Sequence, residues 1–392
     1  MTHKIRLLKN KDASIHRRHP WIFSGAIDKR SLSPDVRDGD VIEVLNHAGQ
    51  FLCVGHYSDR GSIAVRILSF LPTYIDLSFW IEKFCAAIQY RSSINIPNSH
   101  SNAYRLIHGE GDDMPGLIVD VYDDVAVIQC HSFGMYLQSD MIGEALKISL
   151  PSLSTIFIRA KETLNRENIE DRYFLGSKQK IEILEHGIRF EVDIINGQKT
   201  GFFLDQRENR RLVGLLSKGK TVLNCFSYTG GFSMYALHAS ASKVVSVDIS
   251  GKAMEICKKN LEFLGQITGV HEAVTEDVLQ YLNRENDEMY DLVIVDPPAF
   301  AKSIAKRHNA VQAYKRLNIA AIKKVKSGGM MFTFSCSQVI HTQLFTDTII
   351  AAGIESNRNI RIVQSLSQGP DHPINLFHPE GHYLKGLLVY IT

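Results

Sequence analysis

Two side chains in the C-terminal half have the types and setting to do covalent chemistry. Tyr290-Asp-Leu-Val-Ile-Val-Asp296 is an apolar run that ends in a carboxyl group and is stopped at once by Pro297 and Pro298, so Asp296 is expected on a stiff turn at the end of a buried strand. Gly329-Met-Met-Phe-Thr-Phe-Ser-Cys-Ser337 is a second such run and carries Cys336 to its carboxyl end. A cysteine at a strand end is more often inert packing, but one that shares a sheet edge with an acid is read here as a nucleophile. One reaction that needs a cysteine beside an acid and a methyl donor is methylation of a pyrimidine at carbon-5. That carbon is a poor nucleophile until a thiolate adds to carbon-6, which makes it enamine-like and able to take a methyl group from a sulfonium. Asp296 would hold the flat ring at the methyl donor.

The methyl donor needs a cradle, and Thr221 to Phe232 has the form of one. Thr221 to Leu223 reads as a short buried strand, followed by Asn224-Cys-Phe-Ser-Tyr-Thr-Gly230 and Gly231, where the backbone can approach a ligand closely before a helix with Phe232, Tyr235 and Ala236 begins. A second strand, Lys243-Val-Val-Ser-Val-Asp248, ends in an acid about twenty residues past the loop, the spacing at which a carboxylate meets ribose hydroxyls. The loop lacks G-x-G-x-x-G, so a dinucleotide pyrophosphate is disfavoured and S-adenosylmethionine, which has no phosphate, is the expected cofactor. Three successive strands end in or next to Asp248, Asp277 and Asp296. The carboxyl ends of strands line the crevice of an open α/β sheet, so these acids share one edge.

A dense approach segment, Asn196 to Asn209, carries Gln198, Lys199, Asp205, Gln206 and Arg207 and is expected to form a lid on the cofactor. The hairpin that precedes it is read from Ile181 to Asp193 about His186-Gly187.

The elements that must position these groups need more than one core. At 392 residues two or three domains are expected, and 44% hydrophobic with 22% charged residues is an ordinary globular composition. A net charge of +2 excludes a bulk polycation but leaves room for a local basic face. The six cysteines, Cys53, Cys85, Cys130, Cys225, Cys257 and Cys336, form no C-x-x-C pairs and accompany no clustered histidines, so neither a zinc site nor a disulfide framework is signalled and a reducing cytoplasm is expected. No signal peptide and no membrane span are read.

Residues 1–72 read as a small β module with strands at Asp40–Leu45, Gln50–Gly55 and Ser62–Leu68. Ahead of them lie Lys4, Arg6, Lys9, Lys11, Arg17, Arg18, Lys29 and Arg30, opposed by Asp12 and Asp28, with Trp21 and Phe23 interleaved. Basic side chains with aromatics are the material of RNA contact, although a solvated surface over core aromatics fits equally well. Residues 73–185 read as a second small domain: a helix from Ile75 to about Arg91 with Trp80, Phe84, Ala87 and Ile88 on one stripe, a hairpin about Asp123-Asp124, a helix around Phe133 to Leu146 and a strand at Thr155–Arg159. Glu110, Asp112 and Asp113 lack calcium-loop spacing and are expected in a solvated turn.

Arg17-Arg-His-Pro-Trp-Ile-Phe-Ser-Gly25, with the glycine-punctuated strands after it, resembles a PUA domain, a small RNA-binding pseudo-barrel. The loop Asn224–Phe232, Asp296-Pro-Pro-Ala-Phe300, Ser335-Cys-Ser337, Gln368-Gly-Pro-Asp-His-Pro373 and Pro379-Glu-Gly-His-Tyr-Leu-Lys385 together resemble the class I methyltransferases that make 5-methylcytosine in large-subunit ribosomal RNA. The resemblance covers the whole chain. It implies a PUA-like domain, a central α+β domain and a Rossmann-like α/β methyltransferase domain over 186–392, acting on large-subunit ribosomal RNA, with a homodimer as a further expectation. By position it makes Asn224, Phe226, Ser227, Tyr228, Thr229 and Gly230 the cofactor loop, with Gln206, Arg207 and Pro297 beside it. Asp248 becomes the ribose acid, Asp277 the adenine-side acid, Asp296 the ring-holding acid and Cys336 the nucleophile. Arg17, Arg18, Trp21 and Lys199 are assigned to RNA, and no metal is implied. Many related RNA enzymes carry a second cysteine directly after a proline where this chain has Pro298-Ala299, so the group that takes the carbon-5 proton is open. Two other readings stand beside this one: an amino-group methyltransferase acting on adenine or guanine, which needs no cysteine, and a non-catalytic RNA-binding factor.

Overall fold

The structure, a computed structural model, describes residues 3–285, 288–301 and 303–392. Compactness divides it into two units, each assembled from stretches that are not contiguous in the chain. The first takes Met1–Ile183 with Val192–Leu204 and Pro370–Gly381, and the second takes Leu184–Glu191, Asp205–Gly369 and His382–Thr392.

In the first unit, β1 (His3–Arg6), β2 (Trp21–Phe23), β3 (Val41–Leu45), β4 (Phe51–Tyr57) and β5 (Ile63–Ser69) form one sheet in the order β1-β3-β4-β5-β2. β1 runs parallel to β3, and the other pairs are antiparallel. Alternate residues point inward, so Ile5, Ile22, Ile42, Val44, Val65 and Ile67 close one core. A second core in the same unit lies under the helix Leu77–Ser93, whose first turn is capped by Asp76 accepting from Phe79 N at 3.0 Å. Phe79, Trp80, Phe84 and Ala87 are its buried stripe. β6 (Ala103–His108), β7 (Leu117–Tyr122), β8 (Val125–Cys130), β9 (Thr155–Arg159) and β10 (Arg172–Leu175) make its sheet, in the order β10-β9-β8-β7-β6. The β7–β8 turn pivots on Asp123, which takes the left-handed conformation at φ 57°. The single helix expected near Phe133 is two, Phe133–Leu137 and Ser139–Ser149, because Ser132 caps the first at Met135 N and Gln138 falls between them.

The acidic turn is solvated only in part: Asp113 is exposed as expected, but the expectation is corrected for Asp112, whose carboxylate has cationic and N–H partners inside this unit. The buried Arg91 holds both oxygens of Asp112 and donates to Asp371 O at 2.8 Å, while His108 N donates to Asp112 at 2.6 Å. Asp371 also accepts from Arg105 N at 3.0 Å, and Pro370 O accepts from Tyr90 at 2.8 Å. These bonds are why the late segment Pro370–Gly381 packs with the early chain.

The chain leaves the first unit along β11 (Lys180–Glu185), which pairs with β12 (Ile188–Asp193) in a two-stranded sheet. The second unit is a doubly wound α/β sheet. Its strands are β13 (Thr221–Cys225), β14 (Lys243–Asp248), β15 (Val270–Thr275), β16 (Tyr290–Val295), β17 (Val325–Ser335), β18 (Ile360–Leu366) and β19 (Lys385–Ile391), in the order β15-β14-β13-β16-β17-β19-β18. The first five are parallel and β19 runs antiparallel to both neighbours. Val222, Leu223, Val244, Val245, Val293 and Ile294 are fully buried, as near-continuous apolar parallel strands must be. Register brings Cys225, Val247, Val295 and Thr333 level, so the residues just beyond them form one edge. Among the described residues no helix is long and apolar enough to cross a membrane.

Candidate active site

Where β13 runs out, the backbone makes a turn that few sequences tolerate. Phe226, Tyr228 and Gly230 all take positive φ, at 58°, 49° and 82°. Two non-glycine residues in this region cost on the order of 1–3 kcal/mol each, and such outliers cluster where a chain holds a ligand. Gly230 is required by space as well: a Cβ there would lie 2.5 Å from the buried Cys257 Sγ. The turn is fixed from several sides. Ser227 N donates to Val247 O at 3.0 Å, and Asn260 donates to Thr229 O at 2.9 Å. The fully buried Asn224 donates to Ser233 Oγ at 2.8 Å, and a hydroxyl relay continues to Ser246 at 2.6 Å and His271 Nε2 at 2.8 Å. Burial pushes that histidine down to about 4, so it stays neutral in the relay.

Asp248 ties this turn to the next element. One carboxylate oxygen accepts from Tyr228 N at 2.9 Å and the other from Ser250 N at 2.8 Å. Asp277 lies beyond β15 rather than at its end and caps the helix Val278–Leu282 by accepting from Gln280 N at 2.9 Å. The loop fits a nucleoside ligand without phosphate. Among the described residues, the buried Asn224 Oδ1 and Thr229 Oγ1 have no hydrogen-bond partner; Gly230 leaves the backbone bare, and no cation stands between Asn224 and Phe232 in the sequence.

One strand over, Asp296 follows β16 and accepts from Gln206 Nε2 at 2.9 Å. Asn209 donates to Gln206 Oε1 at 2.6 Å and so fixes which end of the amide faces Asp296. Burial, then the nearby Asp205 carboxylate, pushes Asp296 up to about 7 against the pull of Gln206. Tyr383 donates to Asp205 Oδ2 at 2.6 Å.

Cys336 is half-buried, just past the end of β17 on the same edge. Ser337 donates to Ala301 O at 2.7 Å, which fastens the strand end carrying Cys336 to the loop that begins at Asp296 and Pro297. The buried Lys385 donates to Ser337 O at 2.8 Å and Tyr383 O at 2.6 Å. Burial pushes it down to about 8, opposed by the Cys336 thiolate. Sequence reasoning assigns Lys385 no role, although it lies inside the run Pro379–Lys385; a lysine in an otherwise apolar strand start is the signal that could have found it.

The approach segment Asn196–Asn209 divides between the units. Thr200 donates to Asp120 at 2.6 Å in the first, and Lys199, exposed at φ 56°, offers its carbonyl to Arg159. Gln206 and Arg207 belong to the second, where Arg207 is buried with Nε 3.3 Å from Glu208. On the same helix, Arg210 makes a buried two-point pair with Glu185 at 2.7 and 2.6 Å, which Tyr235 joins at 3.1 Å.

Of the basic cluster, Arg17 and Arg18 are exposed, with the Arg18 guanidinium 5.3 Å over the Phe70 ring. Trp21 is half-buried instead of displayed: its indole N–H donates to Glu110 at 2.8 Å and its ring lies 4.4 Å from that of His378.

Comparison with known proteins matches residues 171–380 to the S-adenosylmethionine-dependent methyltransferase family and residues 5–70 to the PUA-like domain family. The chain is 38% identical to the ribosomal RNA large subunit methyltransferase I of Aeromonas hydrophila over 99% of both chains. It is 36% identical to the protein of that name from Photobacterium profundum over 100% of both. Two solved structures share the fold along their full lengths. SMU.776, named as a methyltransferase and complexed with SAH, superposes with a TM-score of 0.86 at 23% identity, and a protein from Streptococcus mutans named as SAM-dependent does so with 0.85 at 22%.

Proposed function

The chain belongs to the ribosomal RNA large subunit methyltransferase I family of S-adenosylmethionine-dependent enzymes, and from that premise we propose that it methylates carbon-5 of a cytosine in large-subunit ribosomal RNA, with Cys336 as the nucleophile. The observation that carries this reading is the thiol of Cys336 on one sheet edge with Asp296, the two loops fastened by Ser337 and Ala301.

When bound, S-adenosylmethionine supplies an electrophilic methyl group. The turn Asn224 to Gly230 would hold its nucleoside and methionine parts, Asp248 its ribose hydroxyls and Asp277 its adenine, with Gln206, Arg207 and Pro297 closing beside it. Asp248 retains acceptor capacity after its two backbone bonds, since a carboxylate offers about four lone-pair sites.

Asp296 would receive the base. A carboxyl raised to about 7 is partly protonated at neutral pH and can donate to the cytosine ring nitrogen, which draws electrons from carbon-6 as the Cys336 sulfur attacks. Gln206 keeps the carboxyl in place through the oxygen it holds. The Lys385 ammonium, buried on this edge, favours the thiolate over the thiol. Attack at carbon-6 would place the electron pair on carbon-5, ready for the methyl group that the bound cofactor supplies; transfer of the carbon-5 proton to a base would then return the pair to the ring and expel the sulfur as thiolate.

RNA would be gathered by Arg17, Arg18 and Lys199, all exposed. Trp21 would act by shaping the module, given its bond to Glu110. A cytoplasmic location follows from the substrate. A homodimer is supported by the outer strand β18 and its neighbouring helix, where Ile350, Ile354, Ile362 and Val363 are exposed.

The direct test is incubation of the protein with unmodified large-subunit ribosomal RNA and S-adenosylmethionine, followed by digestion and mass mapping of the nucleosides. One new 5-methylcytidine is expected. A methyl group on an exocyclic nitrogen would replace this reading with the amino-methylating one.

A further inference from the structure

Within the first unit, and with no residue from the methyltransferase sheet, two imidazoles and a carboxylate converge. Glu380 Oε2 lies 3.7 Å from His19 Nε2 and 3.7 Å from His378 Nε2, and one ligand-type atom from each of the three residues lies within 4.8 Å of the others. His378 is 3% exposed, and among the described residues neither of its ring nitrogens has a hydrogen-bond partner. A buried imidazole left in that state forfeits the bonds that water would give it, so the arrangement calls for something to accept or supply a bond there.

The surroundings hold the rings still. Trp21 packs edge-on against His378 with centroids 4.4 Å apart, and His19 does so at 5.5 Å. His19 Nδ1 lies 3.1 Å from Trp21 N and 3.3 Å from Trp21 O, so the same residue's backbone can serve either tautomer and leave Nε2 as a ligand. Glu110 in turn orients Trp21 through the indole N–H. Glu380 stands half-exposed at the rim, which gives an ion a path in.

We propose that His19, His378 and Glu380 bind one divalent first-row transition ion, zinc by preference. Two imidazoles and one carboxylate suit zinc, with a fourth position left to water. Tetrahedral bonds of about 2.0–2.1 Å place ligand atoms about 3.4 Å apart, so the observed spacings close with small side-chain shifts. The ion would clip the late segment Pro370–Gly381 to the N-terminal strands of the same unit. Spacing in the sequence could not signal this site because its ligands come from opposite ends of the chain.

The test uses the full-length, tag-free protein freed of metal by chelation, titrated with Zn²⁺ against a chromogenic chelator and separately with Co²⁺. Expected are one ion per chain, visible cobalt bands of tetrahedral strength, and affinity lowered by at least about tenfold in His378→Ala and in Glu380→Ala. Glu380 is exposed enough that its variant keeps the fold, which S-adenosylmethionine binding would report. Cys336→Ser should retain the ion. Absence of stoichiometric uptake would overturn the proposal, as would an affinity unchanged in Glu380→Ala or uptake that disappears in Cys336→Ser.

Discussion

Gln206 Nε2 donates to Asp296 Oδ2 at 2.9 Å, and this bond joins the start of the helix Arg207–Leu216 to the end of β16. It lowers the pKa of a carboxyl that burial and Asp205 push up to about 7. The net shift is upward, so the folded protein binds the Asp296 proton more tightly than the unfolded chain does.

The sign of the pH effect follows. Between the ordinary carboxylate value and about 7 the unfolded state carries fewer protons at this site, so the Asp296 contribution to stability falls as pH rises. Asp296→Asn removes the charge and should gain on wild type by on the order of 1–3 kcal/mol between pH 5 and pH 8. Paired thermal melts at the two pH values measure it. A difference between variant and wild type that does not change with pH contradicts the assignment. The same variant should lose about 10²–10⁴-fold in turnover, the range of one general acid.

Glu185 has no exposure and Arg210 almost none, and they pair through two hydrogen bonds. Glu185→Ala removes the two-point carboxylate partner of a buried guanidinium and should cost about 3–5 kcal/mol in denaturant unfolding. A loss below about 1 kcal/mol, the worth of an exposed pair, would show that water reaches the site.

If Arg17 and Arg18 each neutralise a phosphate, Arg17→Ala with Arg18→Ala should weaken RNA binding at all sequences and flatten the plot of log K against log salt by about one for each phosphate left without its arginine. Cofactor affinity should not change. Fluorescence titrations at several salt concentrations decide it, and an unaltered slope removes these residues from the RNA surface.

The methyltransferase sheet was legible because parallel strands are buried on both faces and read as unbroken apolar runs. β14 begins and ends where Lys243 and Asp248 suggest, and the apolar runs line up the carboxyl ends of β13, β14 and β16, whereas the half-exposed β15 has no such run and ends at Thr275, short of Asp277. β1 and β2, of four and three residues, are too short to show a period, and β18 is mostly exposed, so burial imposes no pattern on it. Long-range polar pairs left no local trace. Arg91 with Asp112, Asp205 with Tyr383 and Lys385 with Ser337 each depend on a partner that spacing cannot locate. The left-handed Phe226 and Tyr228 were hidden for another reason: aromatic residues do not advertise positive φ, so only Gly230 marked the turn.

A covalent bond between Cys336 and the target base can be trapped. RNA carrying 5-fluorocytosine at the methylated position is incubated with S-adenosylmethionine and enzyme, and the product is resolved by denaturing gel and peptide mass mapping. Fluorine cannot leave as a proton does, so wild type should be trapped on the RNA through Cys336, while Cys336→Ala, with cofactor affinity nearly intact, should form no adduct and turn nothing over. An adduct mapped to another cysteine, or methylation by Cys336→Ala at near wild-type rate, would contradict the account.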